Sequence, residues 1–333
     1  MKNRPKVQHY VAQSYLRGFA VGAGRHASLY VYGRNKARPF RQTPQQAARE
    51  THYYTLRNAD GVPDDSIEDL LAAVESEAVP VIRSVCSADV QLSWEGRNKI
   101  ALFLGFQEFR VPWMRRQIEK LYGRLLDFAM TGHAKAPGLL EHTMQIMRDQ
   151  GHDFGSVTAQ SMRESIERKD YIIEVSPQVS LTSLVQMAPV ASAYYREMDW
   201  TVMKCHGKSF FITSDNPVVK FAPESSRPFL GVGIMNPAIQ IWFPMSKTTS
   251  LVIRHDTDRM HRYDELMQKG ETAKAAELRG TVPRITYRKA ADPIVHSMNH
   301  MIACYATRFV FSPTANDALP DLLRGEPAAI QFG

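Results

Sequence analysis

Acidic residues are missing from the first 49 positions of this 333-residue chain. Glu50 is the first, and ten basic side chains precede it: Lys2, Arg4, Lys6, Arg17, Arg25, Arg34, Lys36, Arg38, Arg41 and Arg49. The net charge is +7, so the rest of the chain carries a small negative excess, 31 basic against 34 acidic residues. Cysteine is also scarce. Cys86, Cys205 and Cys304 are odd in number and far apart, which gives neither a disulfide framework nor a zinc cluster and favours a reducing, cytoplasmic setting. No apolar run reaches the ~18 residues that cross a bilayer, and Arg17 interrupts the only apolar stretch of the N-terminal segment, so no cleaved signal is expected. Internal repeats and low-complexity tracts are absent. With 44% hydrophobic and 23% charged residues, a disordered or collagen-like chain is excluded. No phosphate loop is present. The Gly22-Ala23-Gly24 and Gly231-Val232-Gly233 pairs lack the third glycine and the strand-to-helix setting of a dinucleotide site, so no nucleotide cofactor motif is read.

What is there begins with that basic segment. A one-signed field concentrates polyanions and is screened by salt, which points to nucleic acid or a nucleotide as partner. The alternative is a basic surface that pairs with the acidic remainder after folding. A membrane-surface role is disfavoured, because the basic residues lie among strand-like residues rather than along an amphipathic helix. Protein partners are not specified by any motif.

Along the chain, residues 7–19 read as an extended entry into a short helix stopped near Gly18. Ser28 to Tyr32 is β-branched and aromatic, and Gly33-Arg34-Asn35 turns it into a second strand near Ala37 to Gln42. His52 to Leu56 reads as a further strand and Asn58 to Asp65 as a polar loop. Ser66 is the expected N-cap of a helix carrying Ile67, Leu70, Leu71, Val74, Ala78 and Val81. A second helix runs from about Ser93 past Arg110, Pro112 ends or kinks it, and a third covers Trp113 to Met130. From Thr131 to Gln160 the periodicity is weak. Leu181 to Met198 is helical again. Then Trp200–Cys205 and Ser209–Thr213 flank His206-Gly207-Lys208 as a hairpin, Ile239–Pro244 and Thr249–Arg254 are strands, helices cover about Asp256–Arg279 and Pro293–Tyr305, and Arg308–Ser312 is a last strand. The expected fold is a single α+β domain over 1–333. Its N- and C-terminal strands form a mixed or antiparallel sheet around a central helical insertion, with a basic β segment at 1–60, a helical region at 61–198 and a β-rich region with two helices at 199–333.

Several polar residues stand where apolar ones belong. The stripe Ile100, Phe103, Leu104 continues into Gln107 and Arg110, whose burial without partners costs a few kcal/mol each. Either the helix surfaces there or these groups line a cleft. Glu68 and Glu75 share a side two turns apart, about 10.5 Å, too far for one metal ion to be gripped by both alone. Salt bridges to Arg97 or Arg110 are the default, and Glu75 is the one expected to point inward. Asp215 follows the apolar strand Phe210-Phe211-Ile212, where functional groups collect, although Asp215-Asn216-Pro217 is equally good turn chemistry. His296 and His300 have the i, i+4 spacing of a zinc pair, but Ser297 stands where the general base would be, so a structural role is favoured.

Taken in order, His9-Tyr10-Val11-Ala12, Tyr15-Leu16-Arg17-Gly18-Phe19, Ile67-Glu68, Glu75, Gln107-Glu108-Phe109-Arg110, Phe211-Ile212-Thr213-Ser214-Asp215-Asn216-Pro217-Val218, Phe243-Pro244-Met245-Ser246, Asn299 and Arg308-Phe309-Val310 resemble a bacterial family, a domain of unknown function marked by an N-terminal His-Tyr-Val-Pro motif. Ala12 departs from the family's proline, which loosens the entry segment but leaves His9 in place. The resemblance supplies residues rather than a reaction. Its polar positions, His9, Glu75, Gln107, Arg110, Asp215, Asn216, Asn299 and Arg308, are those of a shared site if it is one.

The expected function is hydrolysis of a phosphorylated substrate, nucleic acid or nucleotide, in a host-defence or toxin setting. In that expectation His9 is general acid or base. Asp215 and Glu75 hold a divalent cation, Mg2+ or Mn2+, or activate water, Arg110 and Arg308 stabilise phosphate charge, and Gln107 and Asn216 orient substrate. Arg17, Arg34, Lys36, Arg38, Arg41, Asn299 and Arg308 bind it. Two rivals stand beside this: a non-catalytic nucleic-acid-binding or interaction module, and a nucleotide glycohydrolase of the NAD type with Glu75 or Asp215 facing an oxocarbenium-like state.

Overall fold

The computed structural model describes residues 7–57, 63–223 and 233–327, so Lys2, Arg4, Lys6, Gly231 and Val232 lie outside the described residues. The fold is α+β. The chain forms two compact units: Met1–Met114 with Ser183–Gly333, and Arg115–Thr182. The helical region expected at 61–198 is therefore divided between them.

In chain order, β1 (Val7–His9) leads into the one-turn helix α1 (Gln13–Leu16), and a 3-10 turn (Gly24–His26) precedes β2 (Leu29–Gly33) and β3 (Phe40–Gln42). Then come β4 (Arg49–Thr51), β5 (Leu56–Arg57) and β6 (Pro63–Asp64). Residues 52–54, expected as strand, are turn and bend. Helix α2 (Ser66–Ser87) starts one residue earlier than expected. Asp65 is its N-cap, and Ser66 instead gives its backbone N–H to Asp64 Oδ1 at 2.9 Å. Ser93 caps α3 (Trp94–Phe109), its hydroxyl accepting from Gly96 N at 3.2 Å. Pro112 opens α4 (Pro112–Lys135), a position where its missing N–H costs nothing.

The weak periodicity after Thr131 conceals two helices, α5 (Leu139–Asp149) and α6 (Ala159–Arg168). The reason is that α5 buries only Leu140 and Met144, and α6 only Ile166. So few apolar anchors cannot make a readable stripe.

Beyond α7 (Pro177–Glu197) lie β7 (Asp199–Cys205), β8 (Thr213–Ser214), β9 (Val219–Phe221), β10 (Gln240–Ser246) and β11 (Thr249–Arg254). The single helix expected to Arg279 is two, α8 (Thr257–Gln268) and α9 (Thr272–Gly280), parted at Gly270, whose φ of +73° breaks the helix. Strand β12 (Ile285–Ala290) was not legible. Helix α10 (Asp292–Tyr305), β13 (Phe309–Ser312) and α11 (Leu319–Leu322) follow.

The strands form two larger sheets rather than one. A four-stranded antiparallel sheet, β3-β2-β13-β8, joins both ends of the chain as expected. A five-stranded mixed sheet, β12-β7-β11-β10-β9, is built from residues 199–290 alone, with β12 parallel to β7. The hairpin expected around His206-Gly207-Lys208 does not form. Residues 209–212 leave β7, and most of their backbone is satisfied by α10 instead: Ser209 N donates to Asp292 Oδ1 (2.9 Å), Ile212 N to Asn299 Oδ1 (3.0 Å), and Asn299 Nδ2 donates to Phe210 O (2.8 Å), while Phe211 N donates to Lys247 O (2.9 Å). Side chains have replaced a ladder, which no strand pattern announces. Gly207-Lys208-Ser209 is no phosphate loop: Val202 stands where its first glycine would be, and its backbone faces the Asp292 carboxylate.

Helices α3 and α7 approach at Gly105. A Cβ built there lies 2.3 Å from the backbone oxygen of Ala188. Gly105→Ala should therefore destabilise by about 1–3 kcal/mol through overpacking, although alanine is the better helix former. A urea titration that shows equal or greater stability for the variant contradicts this contact.

Candidate functional site

The entry segment His9 to Ser14 is threaded between two polar networks. On one side Gln107 and Arg110, at the end of α3, are fully buried. Neither surfaces, because each answers the other: the Arg110 guanidinium donates twice to Gln107 Oε1 (2.7 and 3.1 Å) and once to Glu75 Oε1 (2.9 Å). Gln107 Nε2 donates to Tyr10 O (3.1 Å), and Ala12 N donates to Gln107 Oε1 (3.4 Å). A proline at position 12 would have no N–H to donate, so Ala12 makes a bond that proline could not. Glu75 completes the set by accepting from Ser14 Oγ at 2.9 Å. The pairing of Glu75 with Arg110 is one of those anticipated. Arg97 takes no carboxylate; it is buried over Trp200 and donates to the carbonyls of Arg196, Met198 and Pro283. His9 Nε2 donates to Gln45 O at 3.0 Å, and burial holds its pKa below the usual histidine value, so the imidazole is neutral at pH 7.

The second network gathers on the other side of Tyr10. The Asp215 carboxylate has no exposed surface. Its two oxygens accept from Thr307 N (2.8 Å) and Arg308 N (2.7 Å), fastening the turn between α10 and β13. Burial pushes its pKa up to about 6. Asn216 Nδ2 donates to Tyr305 O (3.2 Å), and the Ser214 hydroxyl, rather than an Asp215 turn, accepts from Asn216 N (3.1 Å). Arg308 pairs with Glu50 and lies over the Tyr10 ring at 5.4 Å. Arg34 caps the end of α10, donating to Ala303 O (3.0 Å) and Ala306 O (2.7 Å). Asn299 is the fastener of 210–212 described above.

Asp215 and Glu75 thus sit in different networks. The charges bearing on His9 are Arg110, Arg49 and Glu75, whereas Asp215 faces Arg308. With both Asp215 oxygens held by backbone N–H groups, and no group of three or more His, Cys, Asp or Glu with metal-holding geometry among the described residues, this donor set does not fit Mg2+ or Mn2+. His296 and His300 likewise bond to Ser209 Oγ (2.9 Å) and Cys304 Sγ (3.4 Å). The three cysteines are free thiols.

What remains open to solvent is a cleft of about 300 Å³ between the end of α1, one face of α2 and the β10–β11 turn. Ser14, Arg17 and Gly18 form one wall, Ile82, Arg83 and Cys86 another, and Met245 and Ser246 the third. Two of the stretches that carry the resemblance, Tyr15-Leu16-Arg17-Gly18-Phe19 and Phe243-Pro244-Met245-Ser246, meet here. They are locked together behind the cleft: Tyr15 Oη bonds Thr213 Oγ1 and Pro244 O (both 2.7 Å) and its ring stacks on Phe243 at 5.0 Å. Gly18 is packed so closely that a Cβ would lie 3.1 Å from Met245 O. Arg17 and Arg83 are exposed, and among the described residues neither has a carboxylate within ion-pair distance. Of the anticipated residues only Arg17 lines this cleft, with Glu75 behind it through Ser14. Arg83, Ser14 and Ser246 were missed. Arg83 lies about two turns beyond Glu75 and roughly 80° round the same helix, and no sequence signal singles it out.

A second cleft, about 370 Å³, is lined by Tyr194, Met198, Met235, Met260 and Arg259 among others. It holds no family position, and Arg259 spends its guanidinium on the carbonyls of Leu278 and Thr281, both 2.7 Å away.

Among the described residues Arg17, Arg25, Arg34, Lys36, Arg38, Arg41 and Arg49 enter no ion pair, and all but Arg34 are exposed. No helix among the described residues is long and apolar enough to cross a membrane.

No curated protein and no solved structure matches the chain. The family described as "Protein of unknown function (DUF4238)" matches residues 7–316, from the first strand to beyond the last. The threaded entry segment, the α3 network and the Asp215 fastening all fall within that span, and the chain belongs to the DUF4238 family.

Proposed function

We propose that this protein recognises a phosphorylated ligand, a nucleotide or nucleic acid, in the cleft between α1, α2 and the β10–β11 turn. The observation that carries the reading is the pair of exposed guanidinium groups, Arg17 and Arg83, facing one cleft with no acidic partner among the described residues. Planar guanidinium forks suit phosphate oxygens. The Ser14 and Ser246 hydroxyls add hydrogen-bonding groups, and about 300 Å³ is at the small end of ligand sites. The surrounding basic segment raises the local concentration of any polyanion.

Calorimetric titration with mononucleotides and short oligonucleotides at low salt tests this. Arg17→Ala and Arg83→Ala should each weaken binding about tenfold, the worth of one charged hydrogen-bonding group, with unchanged melting temperature. Affinity that ignores both substitutions removes the cleft as the binding site.

A second reading, cleavage of the bound ligand, has one observation in its favour. The Ser14 hydroxyl at the cleft wall donates to Glu75, and Arg110 orients that carboxylate. This is the nucleophile, base and orienter order of covalent catalysis. Labelled RNA, DNA and nicotinamide dinucleotides, with and without Mg2+ or Mn2+, test it. If the wild-type protein turns over none of them, recognition is the whole function.

A further inference from the structure

We infer that the β2–β3 hairpin and the 3-10 turn before it form a track for a single-stranded polynucleotide, whose bases stack on Phe40. Strand β3 is the edge of the four-stranded sheet. Phe40, on that edge, is 42% exposed, an unusual place for a large apolar ring. On the opposite face Arg41, paired across the ladder with Tyr30, lies over the Tyr30 ring at 5.2 Å. A guanidinium plane held on an aromatic ring is itself a stacking surface. Around these lie Lys36, Arg38 and Arg25, all exposed and none in an ion pair among the described residues. Charges of either sign would protect a sheet edge from self-association; here only one sign occurs, which matches a polyanion.

The hairpin is tied through the chain to Arg17 in the cleft wall. Val21 and Ser28 form a β-bridge, each N–H donating to the other's carbonyl at 2.9 Å. The Ser28 hydroxyl accepts from the Arg41 guanidinium. Val21 is four residues from Arg17, at most about 14 Å of chain. A flexible strand can therefore lay phosphates along Arg38 and Arg25 towards Arg17 while its bases meet Phe40. A duplex cannot, because its bases are stacked on one another and hidden from Phe40. The cleft end of this track rests on the function proposed above, whereas the hairpin end stands on its own observations.

Fluorescence anisotropy tests both ends with three probes: a labelled single-stranded oligonucleotide of about a dozen residues, the same sequence as a duplex, and a mononucleotide. The single strand should bind tighter than the duplex. Phe40→Ala should weaken single-strand binding about tenfold, Phe40→Trp should restore it, and Arg38→Ala should reduce the slope of log affinity against log salt by about 0.7. Mononucleotide binding should be untouched by all three. Single-strand affinity indifferent to Phe40→Ala, or a duplex bound as tightly as the single strand, overturns the track. Sensitivity to Phe40→Ala with indifference to Arg17→Ala and Arg83→Ala keeps the track and removes the cleft; the reverse pattern keeps the cleft alone.

Discussion

Asp215→Ala should lower the unfolding free energy by about 2–4 kcal/mol at pH 7. The substitution strips the acceptors from two buried backbone N–H groups, Thr307 and Arg308, each worth about 1–3 kcal/mol when left unsatisfied. Part of that loss is offset, because the wild-type carboxylate is itself held at a cost. Burial pushes its pKa up to about 6 from 3.8. A folded-state pKa above the unfolded one means that the folded state binds the proton more readily between those values, so the group's contribution to stability rises as pH falls from about 6 towards 4. The alanine variant lacks that term. The gap between the two proteins should therefore widen by up to about 3 kcal/mol between pH 7 and pH 4. Urea titrations at the two pH values measure it. A gap that narrows on acidification means that the carboxylate prefers its charged form in the fold, and the assignment of burial as the dominant effect fails. A carboxylate acting only on a substrate would leave stability unchanged at both pH values.

That expectation departs from the sequence-based one, in which Asp215 was a candidate base or metal ligand, and the reason bears on what a sequence can disclose. In one dimension, polar residues in the stretches that carry the resemblance read either as members of a site or as turn formers. The structure offers a third possibility: polar side chains that serve as connectors for backbone that has no ladder partner. Asn299 holds 210–212, Asp215 and Asn216 hold the turn after α10, and Gln107 holds the entry segment. Such connectors are buried and specific, so they look like functional residues in one dimension. Strand β11 and helices α2 and α3 were legible because their apolar faces are wide. β12 was not, since it has neither an apolar run nor alternating burial, Ile285 and Ala290 alone being buried. The inward direction of Glu75 was legible from helix phase, but the choice of Arg110 over Arg97 as its partner was not. Arg83 was invisible because an exposed arginine on an amphipathic helix is the commonest thing for a sequence to contain; only its convergence with Arg17 and Ser246 distinguishes it.

Glu75→Ala should cost about 3–5 kcal/mol, since it leaves the Arg110 guanidinium, 2% exposed, without a counter-charge. Glu75→Gln keeps one acceptor, its Oε1 for Arg110, and turns its amide N–H towards the Ser14 hydroxyl, which then accepts; it should cost less, about 1–2 kcal/mol. Removing the charge at its source is milder still: in a Glu75→Leu, Arg110→Met double variant no buried ion remains, and apolar replacement of such pairs is often close to neutral. Gln107 keeps its bonds to Ala12 N and Tyr10 O in that variant, so the entry segment stays threaded. The order expected by chemical denaturation is therefore Glu75→Ala least stable, Glu75→Gln intermediate, and the double variant nearest to wild type. A Glu75→Ala loss below about 1 kcal/mol would mean that Gln107 alone satisfies Arg110. The Glu75→Gln protein, being folded, also separates the two functional readings. Taking one negative charge from behind the cleft should tighten anion binding modestly if the protein only recognises its ligand. If Glu75 instead draws the proton from an attacking hydroxyl, the same variant binds its ligand and turns none of it over.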